Sequence, residues 1–443
     1  MGIEPQTLNV VQLGMGFFLI FFAFNSQAFI EQTIIDSKNS EGVVSEYAGY
    51  ASAAIIYGVF TFANFIAAPI VGLLGARWAM VAGAITYGIF QAGFLFLNEP
   101  FLYISSALIG VGAAIIWTAQ GKYIAMNSTD ETASIHSGLF WGEYQVSLIG
   151  SGIFLYFAFR DLKDNDRIED SKIRLVFGVF TAVTAAGVAI LGLLRTPPKN
   201  ESLIDPNIKS EPEMTPKELL YSTLNLLITK RMLFLSIASI YTGIELSFYS
   251  GIYPTAISFT DKLAKNTKTV IAFNAIAQGL GQGTVSFAFG IFGDITKKLG
   301  RIVIVFLGLI VHLLAFVAIY LNFPSDAPLD NTNDEGIIKP PSVTIAIICA
   351  YFLGFGDACW NTQIFSLLVA NYNKKSAEAF AVLHLFQCLA ASIAFLYASY
   401  FTMGIHTLIL IITGILGFLG FFVAERLPTV TEEKNENSSN NVD

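Results

Sequence analysis

Charge is what this sequence has least of. Lys, Arg, Asp and Glu make up 13% of its 443 residues, roughly half the share usual in a soluble domain. Cysteine is nearly absent. Cys349, Cys359 and Cys388 each sit in an apolar run, with neither a disulfide framework nor metal-ligand spacing, and read as small apolar residues. There is no G-x-S-x-G elbow, no H-E-x-x-H, no Walker loop and no paired His–Cys set. Nothing therefore invites an enzyme, and no cofactor or metal is implied. The net charge of −8 lies mostly in loops and tail and argues against nucleic acid as a partner. No Lys or Arg stands at mid-depth in an apolar run to clamp an anionic solute.

Apolar length is what the chain has in abundance. It is 54% hydrophobic, with 39 Phe and 17 Tyr gathered into unbroken blocks. About 20 apolar residues carry a helix across a bilayer, and a backbone in hydrocarbon must satisfy its own hydrogen bonds. Six blocks occupy the first half: Val10–Ile30, Ala51–Val71, Trp78–Leu97, Phe101–Lys122, Gly138–Phe159 and Leu175–Leu194. Six more follow: Met232–Tyr253, Val270–Phe292, Ile302–Leu321, Val343–Val369, Ala379–Phe401 and His406–Val423. The expectation is an all-α membrane protein of twelve transmembrane helices in two six-helix halves, 10–194 and 232–424. Residues 1–9 form a short N-terminus, a proline-containing linker spans 195–231, and the polar tail 425–443 reads as disordered. The first block is too long for a cleaved signal peptide and no basic residue precedes it.

Loop charge sets the orientation. With both termini cytoplasmic, 15 of the 25 Lys and Arg face inward. The sequons at Asn127, Asn200 and Asn437 then lie inside as well and stay unglycosylated. The membrane itself, plasma or endolysosomal, is left open.

The two halves echo one another. Gly72-Leu-Leu-Gly75-Ala76-Arg77 matches Gly290-Ile-Phe-Gly293-Asp294 at an offset of 218 residues, and the latter is followed by Lys297, Lys298 and Arg301. Further on, Gly110-Val-Gly112-Ala-Ala aligns with Gly354-Phe-Gly356-Asp357-Ala. Such repeats are typical of secondary transporters, whose solute site lies between halves near mid-membrane. The halves, the linker and the G-x-x-x-D loop with its basic residues resemble the major facilitator superfamily. Three segments narrow the resemblance: Gly112-Ala-Ala-Ile-Ile-Trp117-Thr-Ala-Gln120-Gly, Tyr241-Thr-Gly-Ile-Glu245-Leu-Ser-Phe, and Gly354-Phe-Gly-Asp357-Ala-Cys-Trp-Asn361-Thr-Gln. They are similar to its UNC-ninety-three-like branch from about Val10 to Val423.

The resemblance implies the major facilitator fold and a cytoplasmic latch of Gly290, Asp294, Lys297, Lys298 and Arg301. Ala76 stands where the first half would need the matching Asp. The resemblance also implies two kinds of role, because relatives in this branch act as accessory proteins of a potassium channel or as escorts of immune receptors. Membrane lipid and either a small solute or such a membrane-protein partner are therefore the expected partners.

Polar residues inside the blocks mark the candidate cavity and proton-coupling site. Glu245 lies midway along the seventh block with Tyr241 and Tyr249 one turn to either side, and a carboxylate there must face a cavity, find a partner or hold a proton. Asp357, one turn before Asn361, has Ala113 as its first-half counterpart, so its charge is an addition to the repeat. Each acid reads either as a coupling group or as a hydrogen-bonded tie between helices. Trp117 with Gln120 offers aromatic-plus-amide recognition or plain interhelical packing, and Glu143 reads as a coupling acid or a boundary residue. The stripe Asn274, Gln278, Gln282 reads as helix contact, and His312 and His384 as core histidines.

Overall fold

The computed structural model describes residues 4–128, 132–162, 168–195, 216–291, 298–372 and 376–428. Apart from an isolated bridge between Thr260 and Thr332, regular structure among them is helical.

The first apolar run lies in α1 (Pro5–Asn39), which opens on Pro5. A first-turn N–H has no partner to lose, so proline is at home there. The next two runs follow each other in α2 (Ala48–Gly93), broken at Gly75 with φ 73° and ψ 155°. Glycine takes that backbone at little cost, and the 46-residue helix becomes two rods. Gly300, which caps the start of α10 (Arg301–Asn322), repeats the conformation with φ 79° and ψ 154°. α3 (Glu99–Met126) starts at Asn98, whose side chain accepts from Phe101 N at 3.0 Å; this satisfies one of the free N–H groups of the first turn. α4 (Ala133–Phe159) and α5 (Asp170–Gly192) complete this part of the chain.

Residues 196–215 of the expected linker, and most of the tail, lie outside the described residues. The rest of the linker holds a short helix, α6 (Pro216–Leu227). α7 (Lys230–Ser247) continues through a π-helical turn, Phe248–Ile252, into α8 (Tyr253–Phe259). α9 (Thr267–Ile291), α10, α11 (Val343–Asn371), α12 (Ser376–Ala398) and α13 (Met403–Arg426) follow.

Among the described residues nine helical segments are long and apolar enough to cross a membrane. Their outward faces suit lipid. On α10, Val303, Phe306, Ile310, Leu314 and Val317 recur every three or four residues and are all exposed. Water would penalise such a stripe, whereas hydrocarbon covers it.

Packing divides the chain into two compact units, Met1–Phe154 with Arg167–Ser222, and Leu155–Asp166 with Thr223–Asp443. In the first, α2 packs on α3 and α5, and α1 on α5 and α2. Lys38 ties the end of α1 to Asp170 at the start of α5. In the second, α11 lies between α9 and α10, while α7 packs on α12 and α13. The sequon residue Asn127 is buried, accepting from Asn9 Nδ2 at 2.8 Å and donating to Tyr123 O at 2.9 Å.

Candidate functional site

In the second unit α7, α9, α10 and α11 bring polar side chains together inside apolar packing. Asp357 accepts from Gln282 Nε2 at 2.8 Å through one oxygen, and from Asn361 Nδ2 at 2.7 Å through the other. Asn361 is one helical turn along α11, so the helix itself supplies that second contact. The Glu245 carboxyl lies within hydrogen-bonding reach of Asp357. Two carboxyl groups can hydrogen-bond only when a proton lies between them. Glu245 Oε1 has no hydrogen-bond partner and stands 3.7 Å from His312 Nε2. Exposure is 1% at Glu245 and 8% at Asp357, so water hardly reaches the pair.

His312 is held on both sides. Its Nε2 is 3.0 Å from Leu353 O, a carbonyl that can only accept, so Nε2 carries the hydrogen. Nδ1 then accepts from the Tyr241 hydroxyl at 2.5 Å. The imidazole fits against α11 because residue 356 is glycine; a Cβ there would fall on the ring. The π-helical turn after α7 adds a further contact, since Gln278 Nε2 donates to Tyr249 O at 3.1 Å. Gln278 Oε1 and both polar atoms of Asn274 are buried without a hydrogen-bond partner.

The expected site residues thus fall into separate groups. Glu245, Asp357 and Asn361 come together in the second unit. They are joined by His312 and Gln282, which the sequence presented as core and helix contact. Trp117, Gln120 and Glu143 belong to the first unit. Trp117 sits among rings, stacked on Trp141 with centroids 5.8 Å apart and meeting Phe17, Phe21 and Tyr144 at 5.4, 5.1 and 5.5 Å. Gln120 is buried one turn further along α3. Glu143 does not join the rings; it is half-buried and lies against Gly14 of α1. Sequence reading missed Glu31, a buried acid in α1 beside Gln27. It falls one residue beyond the first apolar block.

Of the expected latch, Asp294 and Lys297 lie outside the described residues, Gly290 belongs to the last turn of α9, and Lys298 is exposed. Arg301 pairs with Glu425 of α13 at 3.0 Å and donates through Nε to Ser366 of α11 at 2.9 Å. Arg231, which the sequence reading took as the last residue of the linker, is buried in the first turn of α7 and donates to Asn371 Oδ1, Leu427 O and Pro428 O.

Apolar helices in this number, with polar clusters inside the packing and apolar faces outside, define a multi-span membrane protein. The solved structures agree on the fold. A peptide transporter of the POT type in complex with sulfate superposes with a TM-score of 0.65 at 14% identity, covering 94% of this chain and 93% of the other. The nucleoside transporter NupG, solved as a point mutant, gives 0.65 at 11% identity, covering 94% and 99%. The family is narrower than the fold. A family profile described as "Ion channel regulatory protein UNC-93" matches residues 40–422, and the chain belongs to that family. Among its relatives, UNC93-like protein MFSD11 of Xenopus tropicalis is 38% identical over 434 residues, covering 95% of this chain and 96% of the relative. Protein unc-93 homolog A of Bos taurus is 22% identical, covering 92% and 91%.

Proposed function

We propose that the chain is a proton-coupled solute carrier with twelve crossings, in six-helix halves 10–194 and 232–424, and with both termini cytoplasmic. The count rests on taking α2 as two rods and adding α4 and α9, whose 27 and 25 residues exceed the ~20 that a bilayer requires. One observation carries the coupling: the Glu245–Asp357 acid contact, set in a packed bundle with one Glu245 oxygen left unpartnered. Buried carboxyls in a membrane are expensive, and a purely structural tie between helices is made more cheaply from neutral groups. Asn361 and Gln282 hold Asp357, and His312 flanks Glu245. In the first half, the rings around Trp117 with Gln120 form the solute-contact surface, and Glu143 is a second candidate acid there. Gly290, Asp294, Lys297, Lys298 and Arg301 close the cytoplasmic end. The solute is neutral or cationic.

A second reading is an accessory subunit of a channel, or an escort of a membrane receptor. The near-complete burial of both acids favours it, because a closed cluster suits a fixed structural part, and the family's description as an ion channel regulatory protein points the same way.

Proton flux into liposomes bearing the purified protein, driven by pooled solutes, separates the two. The carrier reading expects solute-dependent flux in wild type that is abolished in Glu245→Gln and Asp357→Asn while both variants keep their melting temperature. Flux absent with every pool, together with variants altered only in stability, would replace it with the accessory reading.

A further inference from the structure

The first unit holds a buried acid that the proposed coupling site does not use. Glu31 lies on α1 and is 8% exposed, and Gln27, one turn before it, is wholly buried. Gln27 Nε2 donates to Glu31 Oε2 at 3.1 Å. The partner oxygens of that pair, Gln27 Oε1 and Glu31 Oε1, are both buried and both lack a hydrogen-bond partner. Two buried acceptor oxygens left without a donor are a costly arrangement away from water.

The hydroxyls of Ser52 and Ser106 are already engaged with one another and with the backbone. Ser106 Oγ is 2.6 Å from Leu102 O, which only accepts, so the Ser106 hydrogen is spent there. Ser52 Oγ lies 2.9 Å from Ser106 Oγ and must therefore be the donor of that bond. With its hydrogen committed there, Ser52 supplies none to Glu31, whose Oε1 has no hydrogen-bond partner. Gln27 Oε1 is thus left as an acceptor on the neighbouring turn with no hydrogen directed to it.

No charged neighbour offers a remedy. Among the described residues no Lys, Arg or His is paired with Glu31. The charged groups towards this end of the unit are otherwise engaged: Lys38 binds Glu41 and Asp170, and Glu99 accepts from Ser45 and Tyr103.

We infer that Glu31 and Gln27 form a proton-binding site in the first unit, with the Glu31 carboxyl carried as the neutral acid and its O–H directed to Gln27 Oε1. One proton gives both orphan oxygens, Glu31 Oε1 and Gln27 Oε1, a partner. Toward Gln27 it closes a cyclic acid–amide pair, with N–H to carboxyl oxygen on one side and O–H to amide oxygen on the other. Carried back along the sequence, the 218-residue offset of the G-x-x-G loops sets Gln27 opposite Glu245. The site stands whether or not the protein carries a solute.

Infrared spectroscopy of the purified full chain in lipid nanodiscs tests it without any transport assay. At neutral pH in sodium- and potassium-free buffer, wild type is expected to show a protonated-carboxyl carbonyl band that Glu31→Gln lacks. Gln27→Leu, which keeps the acid, should retain that band at a shifted frequency. Addition of sodium or potassium chloride should leave it in place. A wild-type spectrum identical to that of Glu31→Gln in this region would mean that Glu31 is ionised and overturn the site. Loss of the band on adding either salt would overturn it too, in favour of an alkali-ion site made from the same oxygens.

Discussion

At Gly356 a single added atom reaches the acid cluster, because a Cβ would fall on the His312 imidazole. The ring cannot withdraw freely, since Tyr241 holds one nitrogen and Leu353 O the other. Gly356→Ala should therefore cost about 1–3 kcal/mol of overpacking, read as a lower melting temperature in detergent. Gly283→Ala, where the added atom meets nothing within 4 Å, is the matched control and should leave the melt unmoved. Equal melting of the two variants would mean that His312 is free to shift. At this scale the sequence was legible wherever a polar residue interrupted an apolar run. Glu245, Asp357 and Asn361 stood out on that ground. Their partners did not, because His312 and Gln282 are ordinary core residues until tertiary packing sets them beside an acid. Glu31 was hidden by a different cause: hydropathy ended the first block at Ile30, whereas the helix runs on to Asn39.

Elements were easier to read than their joints. Each apolar block lies on a helix, because length and composition alone dictate that in a bilayer. The π-helical turn at Phe248–Ile252 has no sequence signal, since its extra residue is accommodated by backbone geometry rather than by any residue type. The short helix α6 was likewise lost among the prolines of the linker. Arg231 belongs to this scale because it joins the start of α7 to the ends of α11 and α13 through Asn371, Leu427 and Pro428. Its removal leaves Asn371 Oδ1 and the carbonyls of Leu427 and Pro428 without this donor. Arg231→Leu is expected to speed hydrogen exchange at those three helix ends and leave the middle of α10 protected. Arg231→Lys should recover only part of the protection, because a compact ammonium cannot reproduce the guanidinium fork. Unchanged exchange in the leucine variant would show that the ends are held by apolar packing alone.

For the whole molecule, relatives that cover nine-tenths of the chain and solved transporters that cover as much place the entire sequence within one architecture. The proposed orientation assigns Val43 to the outer face and Lys298 to the cytoplasmic face, and both are exposed. In sealed vesicles of known orientation, a membrane-impermeant maleimide applied from outside right-side-out membranes should label Val43→Cys and spare Lys298→Cys. The opposite pattern would invert the topology. That experiment is available because Cys349, Cys359 and Cys388 are all free and all buried, at 2%, 1% and 3% exposure. Thiol reagents attack an accessible thiolate, which deep apolar packing denies them. The natural chain is therefore already chemically quiet. A reporter thiol can be written onto its surface one position at a time, with no native sulfur to erase first.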